Sequence, residues 1–571
     1  MRNCCVVALL LPSLLPAQAV PTTTSDQKCA LSGHVTAAGT SEPLNKATVH
    51  LQAASAAHSY VAVSNPDGSF QMLNVNPGSY RLWADHDRFL SAGYGTHFEN
   101  RFGSVLTLKA GQQLTNLDIV LRPQAVIAGK VVDEDGDPTT ADAVQVFAQR
   151  WVDGKLSYQM QSSEQIDDRG QFRIADLAPG KYVLCAQARA PETEEIQSGG
   201  KPNIGPVTTF YPSATNLEDA TLIEVHSGQE LEGIEIRMRS MRTFHVRGKV
   251  TGTLPQGVNR EALEVVVAPQ LTNGMYFAGG RSVSKTGAFD IAGVGPGTYQ
   301  ILVFAFTRGA GPAAIAQAPV SVAATDINGL NLAIIPPGTV RGRVSVEGTA
   351  TRGSDQWNSA NINVSLSGAN RSISFGPAHN ASADANGAFT INDIDAGSYK
   401  LHVSGAPNST YLKSVVLNAQ EVTGKMIDLS EGGSNELDLV FRYGAADVSG
   451  TVQFAQSGGA TQESSAANAA SSATVVLVPD DSERSESGMK FSELDQNATF
   501  HISGVTPGSY HVYAFEDIDE DLLKNPAVVK AIGDKGSGLE IQENDSKQIQ
   551  LSAIPAGDIR QILMRLGLDQ E

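Results

Sequence analysis

Short alternations of apolar and polar residues recur along the chain and predict β-strands. Residues 114–121 read LTNLDIVL, and residues 299–303 read YQILV. Because successive side chains of a strand point to opposite faces, such segments predict strands with one buried face. Turn residues separate them about every 8–12 residues, a spacing typical of antiparallel β-sandwiches. Helical periodicity is nearly absent, and its best candidate is the segment 521–532.

One pair of aromatic residues returns five times. Phe and Tyr stand ten positions apart in Phe70/Tyr80, Phe172/Tyr182, Phe289/Tyr299, Phe389/Tyr399 and Phe500/Tyr510. A Gly-x-Val opener precedes each pair, at Gly33, Gly129, Gly248, Gly342 and Gly450. Successive openers lie 96, 119, 94 and 108 residues apart, about the length of one small domain. The chain is therefore predicted to contain five tandem modules, which we call modules 1 to 5.

The residues before each Phe and each Tyr predict tight turns. Glycine stands two positions before the phenylalanine in four modules, and it takes positive φ without a Cβ penalty. Pro-Gly before the tyrosine suits a second turn, with proline at its first corner. We expect φ > 0 at Gly170 and Gly287, so that valine at either position strains the hairpin by about 1–3 kcal/mol.

Together, the Gly-x-Val opener, the Asp-Gly-x-Phe turn and the Pro-Gly-x-Tyr turn resemble carboxypeptidase regulatory-like domains. The resemblance covers nearly the whole chain after its first residues. It implies a transthyretin-like sandwich, often grouped with carbohydrate-binding-like folds. Two copies depart locally: Ala498 replaces the turn glycine of module 5, and Ala396 stands where proline is usual in module 4. In metallocarboxypeptidases such a module accompanies a separate catalytic domain, for which this chain has no room.

We therefore predict an all-β protein, a tandem array of five transthyretin-like or Ig-like antiparallel β-sandwich modules after a signal peptide. The expected divisions are a signal peptide at 1–19, module 1 at 20–123, module 2 at 124–240, module 3 at 241–336, module 4 at 337–443, and module 5 with a C-terminal tail at 444–571.

The first nineteen residues have the pattern of a secretory signal. Arg2 gives a positive start, residues 6–15 are mostly apolar, and Ala17-Gln18-Ala19 offers small residues for cleavage after Ala19. No later stretch reaches 18 apolar residues, so no transmembrane helix is expected in the mature chain. The protein is expected to be secreted or periplasmic, in the cell envelope, by way of this cleavable signal peptide.

Charge and motifs exclude several function classes. Lys and Arg number 41 against 60 Asp and Glu, so the formal charge is −19 and binding to nucleic acid is not expected. The sequence contains no H-E-x-x-H, G-x-S-x-G or phosphate-cradling loop. The nearest histidine–carboxylate pairs are His97 with Glu99 and His226 with Glu230. We predict no enzyme activity, no cofactor, and no catalytic, cofactor-binding or metal-ligating residue.

Four weaker signals each have a simpler structural interpretation. The acidic runs 133–137 and 516–521 suit solvated turns, with a bound calcium ion as the alternative. Lys130 and Lys249 in the openers suit surface lysines, with an internal isopeptide bond as the alternative. Cys185 suits a buried inert thiol, with a disulfide to Cys29 as the alternative. Phe210-Tyr211-Pro212 suits a strand end folded over the sandwich.

Glycan binding requires exposed aromatic rings beside polar groups. Aromatic residues are only 6% of the chain, and the candidates are Trp83, Trp151 and Trp357. Core or loop packing is expected for each, with lectin-like use as the alternative.

These observations favour an exported, non-catalytic binding or spacer protein of the cell envelope, with weak carbohydrate binding by one module as the sharper version. The alternative is an accessory or regulatory subunit of an extracellular hydrolase, related to carboxypeptidases. The expected partner is a protein or a glycan, and a monomer is expected. Prolines between modules, such as Pro123, together with the net negative charge predict a rod of about 170 Å.

Overall fold

The computed structural model describes residues 27–568 except 54–57, 96–104, 140, 142, 153, 189–202, 255–257, 272–273, 276–279, 306–312, 351–355, 369–378, 455–472, 482–487, 496 and 517. The predicted signal peptide, His97 and Glu99 lie outside these residues. The described chain is dominated by β-strands grouped into successive pairs of sheets, which confirms the all-β sandwich fold.

The strands of modules 1 and 2 follow the predicted repeat. Module 1 has β1 (Cys29–Ala37), β2 (Thr48–Ala53), β3 (Ser59–Val63), β4 (Ser69–Val75), β5 (Gly78–Asp85), β6 (Ala92–Gly93), β7 (Val105–Leu108), β8 (Gln113–Leu114) and β9 (Ile119–Leu121). Module 2 has β10 (Ala125–Val132), β11 (Ala143–Val152), β12 (Lys155–Glu164), β13 (Gln171–Leu177), β14 (Gly180–Gln187), β15 (Ile204–Val207), β16 (Thr209–Phe210), β17 (Ile223–Val225), β18 (Glu230–Arg237) and β19 (Arg239–Arg242).

The strands of modules 3 to 5 repeat the same order. Module 3 has β20 (Phe244–Thr251), β21 (Leu263–Leu271), β22 (Gly274–Met275), β23 (Gly280–Ser282), β24 (Ala288–Val294), β25 (Gly297–Ala305), β26 (Ala313–Val322) and β27 (Ile327–Ala333). Module 4 has β28 (Gly338–Glu347), β29 (Asn363–Gly368), β30 (His379–Ser382), β31 (Ala388–Ile394), β32 (Ser398–Ser404), β33 (Thr410–Leu417), β34 (Gln420–Glu421), β35 (Ile427–Asp428) and β36 (Ser434–Tyr443). Module 5 has β37 (Ala446–Gln453), β38 (Thr474–Pro479), β39 (Lys490–Glu493), β40 (Thr499–Val505), β41 (Gly508–Phe515), β42 (Ser537–Ile541) and β43 (Ser546–Ser552).

Every module has the same two-sheet plan. In the first sheet, the opener strand pairs antiparallel with the strand of the repeated Phe and parallel with a closing strand, as β1 does with β4 and β9. In the second sheet, the strand of the repeated Tyr pairs antiparallel with the strand after the opener, as β5 does with β2. The core lies between the two sheets, and Phe70 and Tyr80 are both buried there in module 1.

The repeated tyrosine also fixes the turn before its own strand. In each module its hydroxyl donates a hydrogen bond to the carbonyl oxygen of the residue four positions earlier. The distances are 2.9 Å for Tyr80 to Asn76, 2.7 Å for Tyr182 to Ala178, 2.9 Å for Tyr299 to Gly295, 2.6 Å for Tyr399 to Asp395 and 2.7 Å for Tyr510 to Thr506. A buried phenol requires such a partner, so this hydrogen bond satisfies the tyrosine hydroxyl and also stabilises the turn.

The opener glycine is required by a close approach of two backbones. A Cβ atom at any of the five openers would lie under 3.0 Å from a carbonyl oxygen of the closing segment. These oxygens belong to Leu117, Ile234, Leu330, Leu437 and Ile549. The glycine therefore allows the parallel strand to lie against the opener.

The turn glycines have the expected conformation. Gly170 and Gly287 have φ of +75° and +87°, which confirms the prediction. In module 5, Ala498 takes the same region at φ +56°, so its replacement of glycine does not change the turn type. The preceding carboxylate stabilises this turn, because Asp495 Oδ1 accepts backbone N–H groups from Asn497 and Thr499.

A β-bulge that the sequence analysis did not single out recurs four residues after the repeated phenylalanine. The residue at this position has positive φ in every module: Asn74, Asp176, Gly293, Asp393 and Gly504. The pairing register of the opener strand shifts beside it, between Cys29 and Leu31 in module 1. Asn, Asp and Gly are the residues that tolerate this conformation best, so the composition of the position was itself a signal.

Three helices follow the last tyrosine strand of module 5. They are α1 (Glu520–Leu523), α2 (Pro526–Ile532) and α3 (Ala556–Leu566). The segment 521–532 is thus helical as expected, but it is divided where Asn525 caps α2. Helix α3 lies in what we predicted to be a plain C-terminal tail. The helices pack on the outward face of the second sheet, against residues such as Val476, Tyr513 and Phe515.

Modules 2 and 5 contact each other, so the predicted straight rod is wrong. Trp151, near the tip of the β11–β12 hairpin, is buried among the helices of module 5. The Gly154 N–H donates to the Asp521 carbonyl oxygen over 3.1 Å, and Asn525 Nδ2 donates to the Gly154 oxygen over 3.1 Å. The rod was predicted from proline linkers and net charge alone, and neither reveals an apolar surface that joins distant modules.

Candidate ligand-binding face

The second sheet of each module has an outward face, and the modules differ in how that face is used. Side chains at the first, third and fifth positions after the repeated tyrosine point away from the core. The third position holds Trp83, Cys185, Leu302, His402 and Tyr513. It is buried in modules 2, 3 and 5, half-buried in module 1 and exposed in module 4. Ligand binding by this face is therefore possible in modules 1 and 4.

Module 2 covers its outward face with its own chain. Phe147, Val183, Cys185 and Phe210 form a small apolar cluster there, and Leu217 packs against it. The strand end at Phe210 thus folds over the sandwich, as its sequence predicted. Burial raises the pKa of the Cys185 thiol well above its usual range, as expected of an inert thiol.

The two cysteines do not form the alternative disulfide. Both are free and buried. Cys29 lies in the core of module 1, where its Sγ donates to the Lys109 carbonyl oxygen over 3.0 Å, and Cys185 lies on the covered face of module 2.

Module 1 has an aromatic pair on its outward face. Trp83 stacks on His50, with ring centroids 5.1 Å apart and an interplanar angle of 11°. The two residues are direct cross-strand neighbours on β5 and β2. His50 Nε2 also lies 3.0 Å from Asp85 Oδ2, which is two residues beyond Trp83 on the same face. Of the core or loop packing expected for Trp83, packing in the core is wrong, because Trp83 alternates with the core residues Leu82 and Ala84 along β5 and is half-buried on the outward face.

An apolar edge adjoins this pair. Val61 and Val63, on edge strand β3, are 60% and 58% exposed. Val61 pairs with His50 across the strands, so the row runs from Val61 through His50 to Trp83. The corresponding edge strands of modules 4 and 5 read HNAS and KFSE and carry polar groups instead. The combination of aromatic, apolar and hydrogen-bonding groups is thus a feature of module 1.

This face has the chemistry of weak sugar recognition. An indole and the adjoining valines can contact the C–H face of a sugar ring. The imidazole of His50 and the carboxylate of Asp85 can exchange hydrogen bonds with hydroxyl groups. Sequence reasoning missed His50 and Asp85, although Asp85 stands two residues after Trp83 on β5 and therefore shares its face, whereas His50 joins them only through the pairing of β2 with β5.

The other two tryptophans are packed. Trp357 packs in its loop against Phe441, with centroids 5.3 Å apart, and its Nε1 donates to Ser359 Oγ over 2.9 Å. Trp151 packs too, but in the helical cluster of module 5 rather than in its own core.

The metal and cross-link candidates have ordinary surroundings. Asp133 Oδ1 accepts the backbone N–H groups of Asp135 and Asp137, which is the geometry of an Asx turn. Lys130 Nζ lies 3.1 Å from Glu235 Oε2 at the surface. In the described part of the chain, no three His, Cys, Asp or Glu side chains are grouped so as to hold a metal ion.

Histidine–carboxylate pairs do occur on the surface. His245 Nδ1 lies 2.6 Å from Asp290 Oδ1 in module 3, and Arg247 Nε lies 2.7 Å from Asp290 Oδ2. Arg247 also lies 2.9 Å from Asp326. The arginine balances both carboxylates, so this group forms an ion network.

One carboxyl group of module 4 titrates unusually. Burial and the neighbouring Asp393 raise the pKa of Asp395 to about 6. Asp395 occupies the turn position that holds Asn76, Ala178, Gly295 and Thr506 in the other modules. Only module 4 has a carboxyl group at this point of its turn.

We expect module 4 to lose stability as pH rises through about 6. The folded-state pKa of Asp395 is above its ordinary value, so folding takes up a proton between about pH 4 and 6. The Asp395→Asn variant, which copies module 1, should show a flatter dependence. The measurement is the melting temperature of both full chains between about pH 4.5 and 7.5. Burial lowers the pKa of His379, so this residue makes stability rise with pH, in the opposite direction to Asp395. The test is therefore the difference in pH dependence between the variant and the unchanged chain. Identical slopes would contradict the prediction.

Comparisons with known proteins found one family model and several solved structures that are similar to parts of the chain. The family model of the carboxypeptidase regulatory-like domain matches residues 30–122. No curated protein matches the chain. None of the described helices is long and apolar enough to cross a membrane.

Similar solved structures include two pilins and two repeats of a collagen-binding protein. The minor pilin of Streptococcus agalactiae is 16% identical, with 40% of this chain and 99% of that chain covered and a TM-score of 0.19. The major pilin of Bacillus cereus is 12% identical, with coverage of 56% and 99% and a TM-score of 0.15. The two B repeats of the collagen-binding protein of Staphylococcus aureus are 11% identical, with coverage of 73% and 100% and a TM-score of 0.13. No functional conclusion follows from scores this low.

The family match rests on the segment where the opener, the Asp-Gly turn and the Pro-Gly turn occur together for the first time. The described strands of the later modules pair in the same order. Residues 30–122 thus match the model of the carboxypeptidase regulatory-like domain, and the described strands of the four following modules repeat the sheet topology of this segment.

Proposed function

We propose that this chain is an exported, non-catalytic binding protein of the cell envelope, and that module 1 binds carbohydrate weakly. The observation that carries the proposal is the row formed by exposed Val61 and half-buried His50 and Trp83, with Asp85 beside it. The equivalent positions of modules 2, 3 and 5 are buried and serve packing. This difference between the modules is consistent with a scaffold in which module 1 provides the ligand-binding face.

We expect a glycan array probed with the chain from residue 20 onward to identify a ligand, and Trp83→Ala to weaken its binding by at least about tenfold. The reason is that truncating a central aromatic side chain removes most of the stacking contact. Calorimetric titration with the best glycan provides the measurement. Trp83→Phe, which keeps an aromatic ring, should retain part of the affinity.

Val120→Ala is the matched control, because Val120 is an exposed apolar residue on the first sheet of the same module. Its affinity should equal that of the unchanged chain. An array without signal, or equal affinities for Trp83→Ala and Val120→Ala, would remove module 1 as a sugar-binding module.

A further inference from the structure

The contact between modules 2 and 5 depends on few apolar side chains. Module 2 contributes Trp151, which is 9% exposed, and the partly buried Leu156. The helices of module 5 contribute a buried surface that includes Leu523, Val528 and Ile559. Module 2 thus contributes far fewer apolar side chains to this contact than to its own core. That core is a separate cluster between the two sheets of module 2.

The contact is nevertheless closely fitted. Gly154, at the tip of the hairpin, has φ +71°. A Cβ atom there would lie 2.5 Å from the Lys524 carbonyl oxygen. The Gly154 backbone uses both its N–H and its carbonyl oxygen to bind Asp521 and Asn525. The hairpin tip and the turn between α1 and α2 are therefore complementary in both shape and hydrogen bonding, which is typical of a specific contact.

Charge opposes this contact. Residues 124–240 carry 10 basic and 19 acidic side chains, and residues 444–571 carry 8 and 20, so their net charges are −9 and −12. At the contact itself, burial raises the pKa of Asp519 and of Glu520, and Glu493 adds to the effect on Glu520.

Positive groups compensate only in part. Arg150 of module 2 and Lys524 partly offset the rise in the pKa of Asp519 that burial causes, and Lys524 Nζ lies 2.6 Å from Asp521 Oδ1. Arg81 of module 1 lies 3.5 Å from Glu493. The two most acidic modules thus meet at a contact whose described residues include the carboxylates Glu493, Asp519, Glu520 and Asp521 beside the cations Arg81, Arg150 and Lys524.

We infer that this contact is a reversible closure of the chain, held by Trp151 and the Gly154 backbone and opened by the like charge of modules 2 and 5 at low ionic strength. Salt screens charges over a Debye length that falls from about 30 Å at 0.01 M to about 3 Å at 1 M. The apolar contact and the two backbone hydrogen bonds do not weaken in the same way. The closed form is therefore favoured at high salt, and the open form approaches an extended array.

The sharpest test places a side chain at the hairpin tip. Gly154→Asn keeps a residue that tolerates positive φ, but its Cβ collides with the Lys524 carbonyl. Gly136→Asn is the matched control, because Gly136 lies in another turn of module 2 at φ +93°, and a Cβ atom there would have no other atom within 4 Å. Far-UV circular dichroism and the melting temperature establish that both full-length variants are folded.

The readout is the radius of gyration from small-angle scattering at about 0.01 M and about 0.5 M salt. We expect the unchanged chain and Gly136→Asn to be larger at low salt by at least about 5 Å, given that a compact chain of this length has a radius near 25 Å. Gly154→Asn should be expanded at both salt concentrations.

Two results would overturn the inference. Equal radii for Gly154→Asn and the unchanged chain at both salt concentrations would show that the contact does not hold the modules together. A constant, small radius of the unchanged chain beside an expanded Gly154→Asn would show a permanent joint that charge does not open. Trp151→Ala offers a second variant, and it should expand the chain as Gly154→Asn does.

Discussion

Gly450→Ala is expected to lower the free energy of unfolding of module 5 by about 3 kcal/mol or more. A Cβ atom at Gly450 would lie under 3.0 Å from the Ile549 carbonyl oxygen and 3.0 Å from the Phe500 ring. The oxygen belongs to β43, which pairs with β37 in register over seven residues, so neither backbone can move without loss of the ladder. Overpacking against a fixed neighbour generally costs about 1–3 kcal/mol, and a backbone neighbour lies at the upper end.

Gly538→Ala provides the matched control for this substitution. Gly538 lies in strand β42 of the same module, its φ is not in the left-handed region, and no atom lies within 4 Å of its Cβ position. Calorimetry of the full chain should show a transition lowered by more than about 10 °C for Gly450→Ala and little change for Gly538→Ala. Equal shifts would mean that loss of glycine flexibility, and not the carbonyl contact, matters at position 450.

The repeat made the fold predictable, but the sequence alone did not show why the opener position requires glycine. The sequence placed the opener on a strand, and the structure confirms this for Gly33 and its equivalents. The opener requires glycine because of a carbonyl oxygen 82 to 105 residues later, for example that of Leu117, which lies against Gly33. The β-bulge was within reach of the sequence, since Asn74, Asp176 and their equivalents share a preference for positive φ.

The outward faces were only half predictable. Period-two alternation assigns Trp83 and Tyr513 to the same face of equivalent sheets, yet Trp83 is half-buried and Tyr513 is buried. The difference comes from later chain segments, because α1 to α3 cover the face of module 5. Helix α3 had a detectable signal in Ile559, Ile562, Leu563 and Leu566, whose spacing is that of a helical stripe.

The contact between modules 2 and 5 could not be predicted from a single sequence. Gly154 and Asn525 are 371 positions apart, and neither lies in a motif that refers to the other. Trp151 near a hairpin tip has the same local pattern whether it faces its own core or another module. Only the three-dimensional path of modules 3 and 4 brings these surfaces together.

Gly287→Val is expected to destabilise module 3 by about 3 kcal/mol or more, beyond the strain that its turn type alone implies. Positive φ costs a β-branched residue about 1–3 kcal/mol. The structure adds a second cost, because a Cβ atom at Gly287 would lie 2.5 Å from the Val250 carbonyl oxygen. That oxygen is held in place, since the Val250 N–H donates to the Gly287 oxygen over 2.8 Å and ties the turn to the opener strand.

Gly329→Val separates the two costs, because Gly329 has φ +75° in the same module and no atom within 4 Å of its Cβ position. Its loss should stay within the strain of about 1–3 kcal/mol, which the melting transitions of the two full-length variants will compare. Equal losses for Gly287→Val and Gly329→Val would assign the whole effect to φ and leave the Val250 carbonyl without a role.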